Sequence, residues 1–307
     1  MSAPAPEAPR PTAVRDLPTD TAPLPRPPRG FSEVALGQTM IVLGLVAVWA
    51  FAYLFLFSGF QQGHAQHRLY AQLRTELALG EAPAGAPIAV GAPVALLSVP
   101  DAEVYDLVVV EGTTPAVLQQ GPGHQEGSVL PGQAGVSVLM GRALSFGGPF
   151  KDVPQLRVGE PIEVTTVQGT FRYEVSGVRR KGDPVPPALT DGQGRLTLVT
   201  AVGEGHLAGL GPSRSVYVDA TLQGDAQPAG AVAAIDPNGA PFAHDAGFTT
   251  LAVLVLALEV LVVAVLVVAW ARHRWTPLAA WVAGVPVVLA ALWLVSSAAS
   301  RLLPNLV

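Results

Sequence analysis

The sequence predicts an all-β domain carried at a membrane by α-helical segments, one before it and two after it. Half of the 307 residues are hydrophobic and only 13% are charged, too apolar a balance for a chain that is soluble throughout. Three apolar stretches, 34–60, 248–271 and 277–299, reach the ~20 residues that a helix needs to cross a bilayer core. Between the first and second of them lie seven short β-branched runs separated by Gly and Pro, the mark of a closed barrel or a sandwich.

Residues 1–33 are rich in Pro and Ala and lack periodicity, which predicts a disordered tail. The stretch 34–60 is too long and too deep in the chain for a cleaved signal peptide, so it reads as a retained anchor. Arg26 and Arg29 precede it, and Arg272 and Arg274 sit in the turn between the last two stretches. The positive-inside rule then places the tail in the cytoplasm and residues 61–247 outside a multi-pass plasma membrane protein.

Leu69, Leu73 and Leu77 recur at helical spacing before Gly80, giving a helical stalk that ends in a Gly/Ala/Pro linker, together 61–92. The β domain occupies 93–223. Its runs are PVALLSV, VYDLVVV, GVSVLMG, PIEVTTV, TFRYEVSGV, RLTLVT and RSVYVDATL, with Gln168 and Gly169 at a hairpin tip. Residues 224–247 read as a flexible linker back to the membrane.

Several function classes fall away on composition. The outer segment holds 11 Lys and Arg against 18 Asp and Glu, a net charge of −7, which disfavours nucleic acid. The chain has no cysteine, which excludes disulfides, a thiol nucleophile and thiolate zinc sites. No cofactor and no metal is implied. GEGHLAGLG, 203–211, is glycine-rich but lacks the Lys-Ser/Thr ending of a phosphate loop.

The segments VVEGTTPAVLQQGPGH, FGGPFKDVPQLRVGE and TLVT, in this order, resemble the sortase family, chiefly its actinobacterial membrane-anchored members. The resemblance implies a β-barrel rather than a sandwich. It also implies a transpeptidase that cuts a sorting-signal peptide and joins it to an amine at the cell wall. That chemistry needs a thiolate, a histidine for proton transfer and an arginine for the oxyanion.

In the family, the cysteine closes the TLVT strand and the histidine follows the glycine after an earlier strand. Here Ala201 holds the first position and Arg142 the second. Alanine carries no nucleophilic atom, and a guanidinium is not a base near neutral pH. Arg214 lies near the arginine position but one residue out of register, which would turn it to the opposite face of the barrel.

The expectation is therefore a pseudo-sortase with no catalytic residue. Its groove binds a sorting-signal peptide or another envelope membrane protein through Arg142, Arg214, His124 and Thr200, with Arg142 adding a fixed positive charge. One alternative is an atypical transpeptidase or hydrolase with Thr200 or Ser145 as nucleophile and His124 or His206 as base. Another is a structural subunit of an envelope complex. The basic run 179–183 reads as a solvated hairpin end. Glu259, in mid-span, is either a protonated acid bonded to Gln38, Thr39 or a backbone carbonyl, or a contact for a partner within the lipid.

Overall fold

A computed structural model describes residues 31–203, 214–234, 239–240 and 243–306. Residues 1–30 of the expected tail, and His206 with most of the glycine-rich loop around it, lie outside the described residues. The helices before the barrel are α1 (Phe31–Ala52), a π-helical turn (Tyr53–Phe57) and α2 (Ser58–Leu79). Leu69 and Leu73 of α2 pack on Val108 and Val110 of the barrel wall, so the leucine spacing is used for docking. Gly80 closes α2 in the left-handed conformation, φ +69°, where a side chain would be strained.

Eight strands follow: β1 (Pro93–Val99), β2 (Val104–Glu111), β3 (Gly123–His124), β4 (Gly135–Met140), β5 (Pro161–Thr166), β6 (Gly169–Arg180), β7 (Gly194–Val202) and β8 (Arg214–Gln223). They close into a barrel in the order β1-β2-β3-β4-β7-β8-β6-β5. The pairs β2–β3 and β4–β7 are parallel and the others antiparallel. Seven strands coincide with the β-branched runs. The eighth, β3, has two residues, too few to show any period. One-turn helix α3 (Pro115–Leu118) precedes it.

The barrel is filled by alternate residues of each strand, among them Leu97, Val109, Leu139, Ile162, Tyr173, Leu196, Leu198 and Val218. Tyr173 is the polar member of this set. Its hydroxyl accepts a hydrogen bond from the Gly132 N–H at 2.6 Å. Gly132 has φ +93°, and a Cβ there would lie 2.2 Å from the Phe171 ring, so only glycine fits. Burial pushes the Tyr173 hydroxyl up to about 12. A group raised in the folded state stabilises fully below its ordinary value of 10 and loses that contribution as pH climbs through 12. Tyr173→Phe is expected to flatten stability against pH between 10 and 12. It should also cost about 1–3 kcal/mol at neutral pH, because Gly132 N–H loses its acceptor. Denaturation followed at several pH values measures both.

The expected flexible linker is tied to the barrel over part of its length. Gln227 N–H donates to Gly132 O and Ala134 N–H to Gln227 O, Ala86 N–H donates to Ala231 O, and Thr113 Oγ1 donates to Gly239 O. Backbone pairing, which composition does not reveal, fixes its path.

After the barrel, α4 (Phe248–Arg274) and α5 (Pro277–Ala299) form an antiparallel hairpin. Ala257, Ala264 and Ala271 on α4, and Ala280, Ala291 and Ala298 on α5, are buried, so small residues let the helices approach. A Cβ on Gly284 would lie 2.7 Å from Val268 Cγ1. Three helical segments, Gly44–Leu79, Phe248–Arg274 and Leu278–Leu302, are long and apolar enough to cross a membrane. Trp49 Nε1 donates to Ser296 Oγ at 2.9 Å, and Tyr53 meets the Trp293 ring edge-on at 5.5 Å, which joins the π-helical region to α5.

Candidate functional site

Strand register decides which side chains share a face with Ala201. Leu196 and Leu198 point into the barrel, whereas Val199 and Ala201 belong to a separate outer cluster with Leu118, Met140 and Leu306. Ala201 lies inside β7 rather than at its break, opposite Ser215 of β8. Thr200, between Val199 and Ala201, therefore takes the inner face. Its hydroxyl is buried, with no hydrogen-bond partner among the described residues. Thr200, expected to line the groove or to attack a substrate from it, faces away from Ala201 by this alternation.

The parallel pairing of β4 and β7 sets Met140 beside Val199, and Gly141 N–H donates to Val199 O at 3.0 Å, which carries Arg142 to the level of Ala201. Neighbourhood of the two positions is thus real. The arginine, however, has no exposed surface. Nη1 donates to Ser145 Oγ at 2.9 Å and Nη2 to Pro115 O at 3.2 Å, while the guanidinium lies 5.0 Å over the Phe146 ring. Burial lowers its pKa to about 10, which still leaves a cation at neutral pH. The loop beneath it is pinned from the stalk side, since Phe146 N–H donates to Ser58 Oγ at 2.8 Å. Arg142 thus fastens α3 to the 142–146 loop and does not present its charge on the groove surface. Ser145, the other hydroxyl candidate, is buried as the acceptor of that bond.

Arg214 pairs with Val202 and is exposed, whereas buried Ser215 stands opposite Ala201. In the ladder, Arg214 shares the Val202 face and not the Ala201 face. The outer wall on the Ala201 side holds a different cation. Arg179 Nε donates to Asp219 Oδ2 at 2.6 Å and stacks 4.4 Å over Tyr217, and Thr197 Oγ1 donates to Asp219 Oδ1 at 2.7 Å. Arg179 belongs to the basic run expected to be a solvated hairpin end. Arg180 and Lys181 are exposed as expected, but Arg179 is drawn onto the wall. The sequence signal was the facing of Arg179 and Tyr217 across β6 and β8, hidden by the register shift between Val175 and Gly177.

His124, expected to line the groove, pairs with core residue Leu139 and faces the barrel interior. Nδ1 lies 2.7 Å from Glu111 Oε2, and Nε2 lies 2.9 Å from Val129 O and 3.0 Å from Ser128 Oγ. Ser128, His124 and Glu111 form a row that looks like a nucleophile, base and acid. Yet a carbonyl only accepts, so Nε2 donates to Val129, and Ser128 Oγ donates to Gln125 O at 2.8 Å. The ring is held from both sides, joining β2, β3 and the 125–129 loop. Glu111 was not singled out by its sequence setting, because its partner is 13 residues away on a two-residue strand.

The outer face of Ala201 is covered by the chain itself. Leu306 is fully buried in the cluster with Leu118, Met140, Val199 and Ala201, and Ala201 is 2% exposed. Ala143 N–H donates to Leu306 O at 3.0 Å. Asn305 is held by Ala243 O and Ala240 O, and Gln119 Nε2 donates to Ser300 Oγ at 3.0 Å. These residues follow α5, and no periodicity in a stretch this short points to the barrel.

Glu259 is exposed on α4, flanked by Val255, Leu258, Val262 and Val263, and makes no hydrogen bond or ion pair among the described residues. The side chains of Gln38 and Thr39, its expected partners, lie outside the described residues. No group of three or more metal-ligating side chains converges among the described residues.

Residues 97–218 match the family model described as Sortase domain. Among solved structures, the chain is similar to sortase E from Streptomyces avermitilis at 30% identity, covering 46% of this chain and 93% of that one, TM-score 0.37. It is similar to the Sortase D5 transpeptidase of Clostridium perfringens at 21% identity, covering 52% and 99%, TM-score 0.41. A sortase from Corynebacterium diphtheriae matches at 22% identity, covering 45% and 87%, TM-score 0.38. Comparison with curated proteins gave no match.

Proposed function

The chain belongs to the sortase family, and from that premise we propose that it is a non-catalytic member whose outer groove holds an extended peptide at the membrane without cutting it. One observation carries this reading: the β7 position that would attack is a methyl group, sealed on its outer side, with a buried arginine rather than a base beside it. A nucleophile and its acid/base partner together supply several orders of magnitude in rate, and binding contacts survive their loss. An extended peptide would lie along the outer faces of β4, β7 and β8, and Arg179, Tyr217 and Thr197 supply the polar contacts there. An atypical hydroxyl enzyme is not supported, because Thr200 points inward and Ser145 is locked to Arg142. A purely structural role in an envelope complex is the outcome that a failure of all peptide binding would favour.

The test is incubation of the full chain in detergent with a sorting-signal peptide and an amine. Binding without release of any peptide fragment supports the proposal, and release of a fragment rejects it. Glu259 supports a partner within the membrane, because a carboxyl in mid-span, without a partner among the described residues, is costly in lipid and is relieved by a polar neighbour.

We place the barrel outside the cell, on the arginines flanking the apolar segments. The absence of cysteine makes this easy to check. Lys181→Cys is expected to react with a membrane-impermeant maleimide on intact cells, and His273→Cys only after lysis. The reverse pattern would invert the topology.

A further inference from the structure

We infer that the groove beside Ala201 is a binding site for a short segment that seats a buried leucine, and that its resident ligand is the chain's own Leu303–Leu306 segment, tethered by α5. The inference rests on the non-catalytic groove proposed above and names its occupant. Four features separate a ligand-like seat from chance packing. Leu306 is wholly buried against the position of the missing nucleophile. Its carbonyl takes the Ala143 N–H at 3.0 Å, which ties the segment to the loop that follows β4. Asn305 is also buried, with its backbone N–H on Ala243 O and its side-chain Nδ2 on Ala240 O. Leu303 is extended, φ −72° and ψ 149°, as a residue before proline must be.

The arrangement has a consequence for binding in trans. A peptide offered from outside competes with a ligand already attached, whose effective concentration is set by a tether of a few residues and reaches roughly the millimolar range. If the segment is seated nine-tenths of the time, the apparent affinity for an outside peptide falls roughly ten-fold. The same groove is thus closed until a partner displaces or pulls the segment, and α5 is the element through which a membrane partner would do so.

Two measurements on the full chain in detergent test this. Ala143→Cys with Leu306→Cys, in a protein otherwise free of cysteine, is expected to form an intramolecular disulfide on mild oxidation, detected as two joined fragments after proteolysis. A fluorescein-labelled peptide of residues 301–307 is the probe for the second. It should bind Leu306→Asp at least ten-fold more tightly than the unaltered chain. Failure of the cross-link would overturn the seating of the segment. A cross-link together with equal probe affinity in both proteins would make the segment a permanent strut and overturn its role as a displaceable ligand. Cleavage of the probe by Leu306→Asp alone would instead uphold the seat and reject the non-catalytic reading on which it rests.

Discussion

Restoring the two missing catalytic residue types, Ala201→Cys with Arg142→His, is expected to leave transpeptidation of a sorting-signal peptide undetectable. The thiol would be introduced beneath Leu306, where Ala201 has almost no exposed surface. The oxyanion partner would still be absent, because Ser215 and not Arg214 faces Ala201 across the β7–β8 ladder. Loss of one oxyanion donor alone costs about 100- to 1,000-fold in turnover, and shielding of the thiol multiplies that loss. Alkylation gives an independent readout. The cysteine of Ala201→Cys should react with iodoacetamide at least about ten-fold faster when Leu306→Asp is added. Turnover by the double replacement would show that the outer face is open and that Arg214 reaches it.

Arg142→Ala is expected to lower stability by about 3 kcal/mol, whereas Arg142→Met is expected to cost about 1 kcal/mol or less. Alanine leaves Pro115 O without the Nη2 donor and Ser145 Oγ without Nη1, and opens a cavity under Phe146. Methionine fills much of that volume and removes a buried cation, whose desolvation at neutral pH is the cause of its lowered pKa. Thermal unfolding of the full chain measures the difference, roughly 5 °C for alanine in a chain of 307 residues. Unchanged melting combined with weakened peptide binding would return Arg142 to the groove surface and contradict its role as a fastener.

The contrast between Arg142 and Arg179 shows what was legible in the sequence. Residue type and order were enough to find the barrel strands, because β-branched runs between glycines and prolines are a local signal. They were also enough to find the substituted positions, since Ala201 and Arg142 stand at the ends of two such runs. Facing was harder. Thr200 and His124 are single residues whose direction depends on register with strands far away in the chain, and both turned inward. Arg179 looked like part of a solvated charge run until the shift between Val175 and Gly177 set it across from Tyr217. Burial of Arg142 depends on Ser58, 84 positions earlier, holding the loop that contains it, and on α3, whose Pro115 carbonyl accepts from the guanidinium. Leu306 offered no signal at all: its partners come from α3, β4 and β7, and a few residues after an apolar helix have no period to read.

The β3 strand illustrates the same limit at the scale of an element. Its two residues, Gly123 and His124, bridge β2 and β4 and so close the barrel, yet the strand exists only through its neighbours. The arginines around α1 and the α4–α5 turn give an orientation by a rule of charge alone, and the Lys181→Cys and His273→Cys labels decide it.

Intact-mass spectrometry of the full chain after incubation with a sorting-signal peptide most directly tests whether this barrel grips without reacting. The account predicts an unaltered covalent mass under denaturing conditions and a peptide complex only under native ones, strengthened by Leu306→Asp. A mass increase equal to the acyl fragment, mapped to any side chain of the barrel, would contradict it.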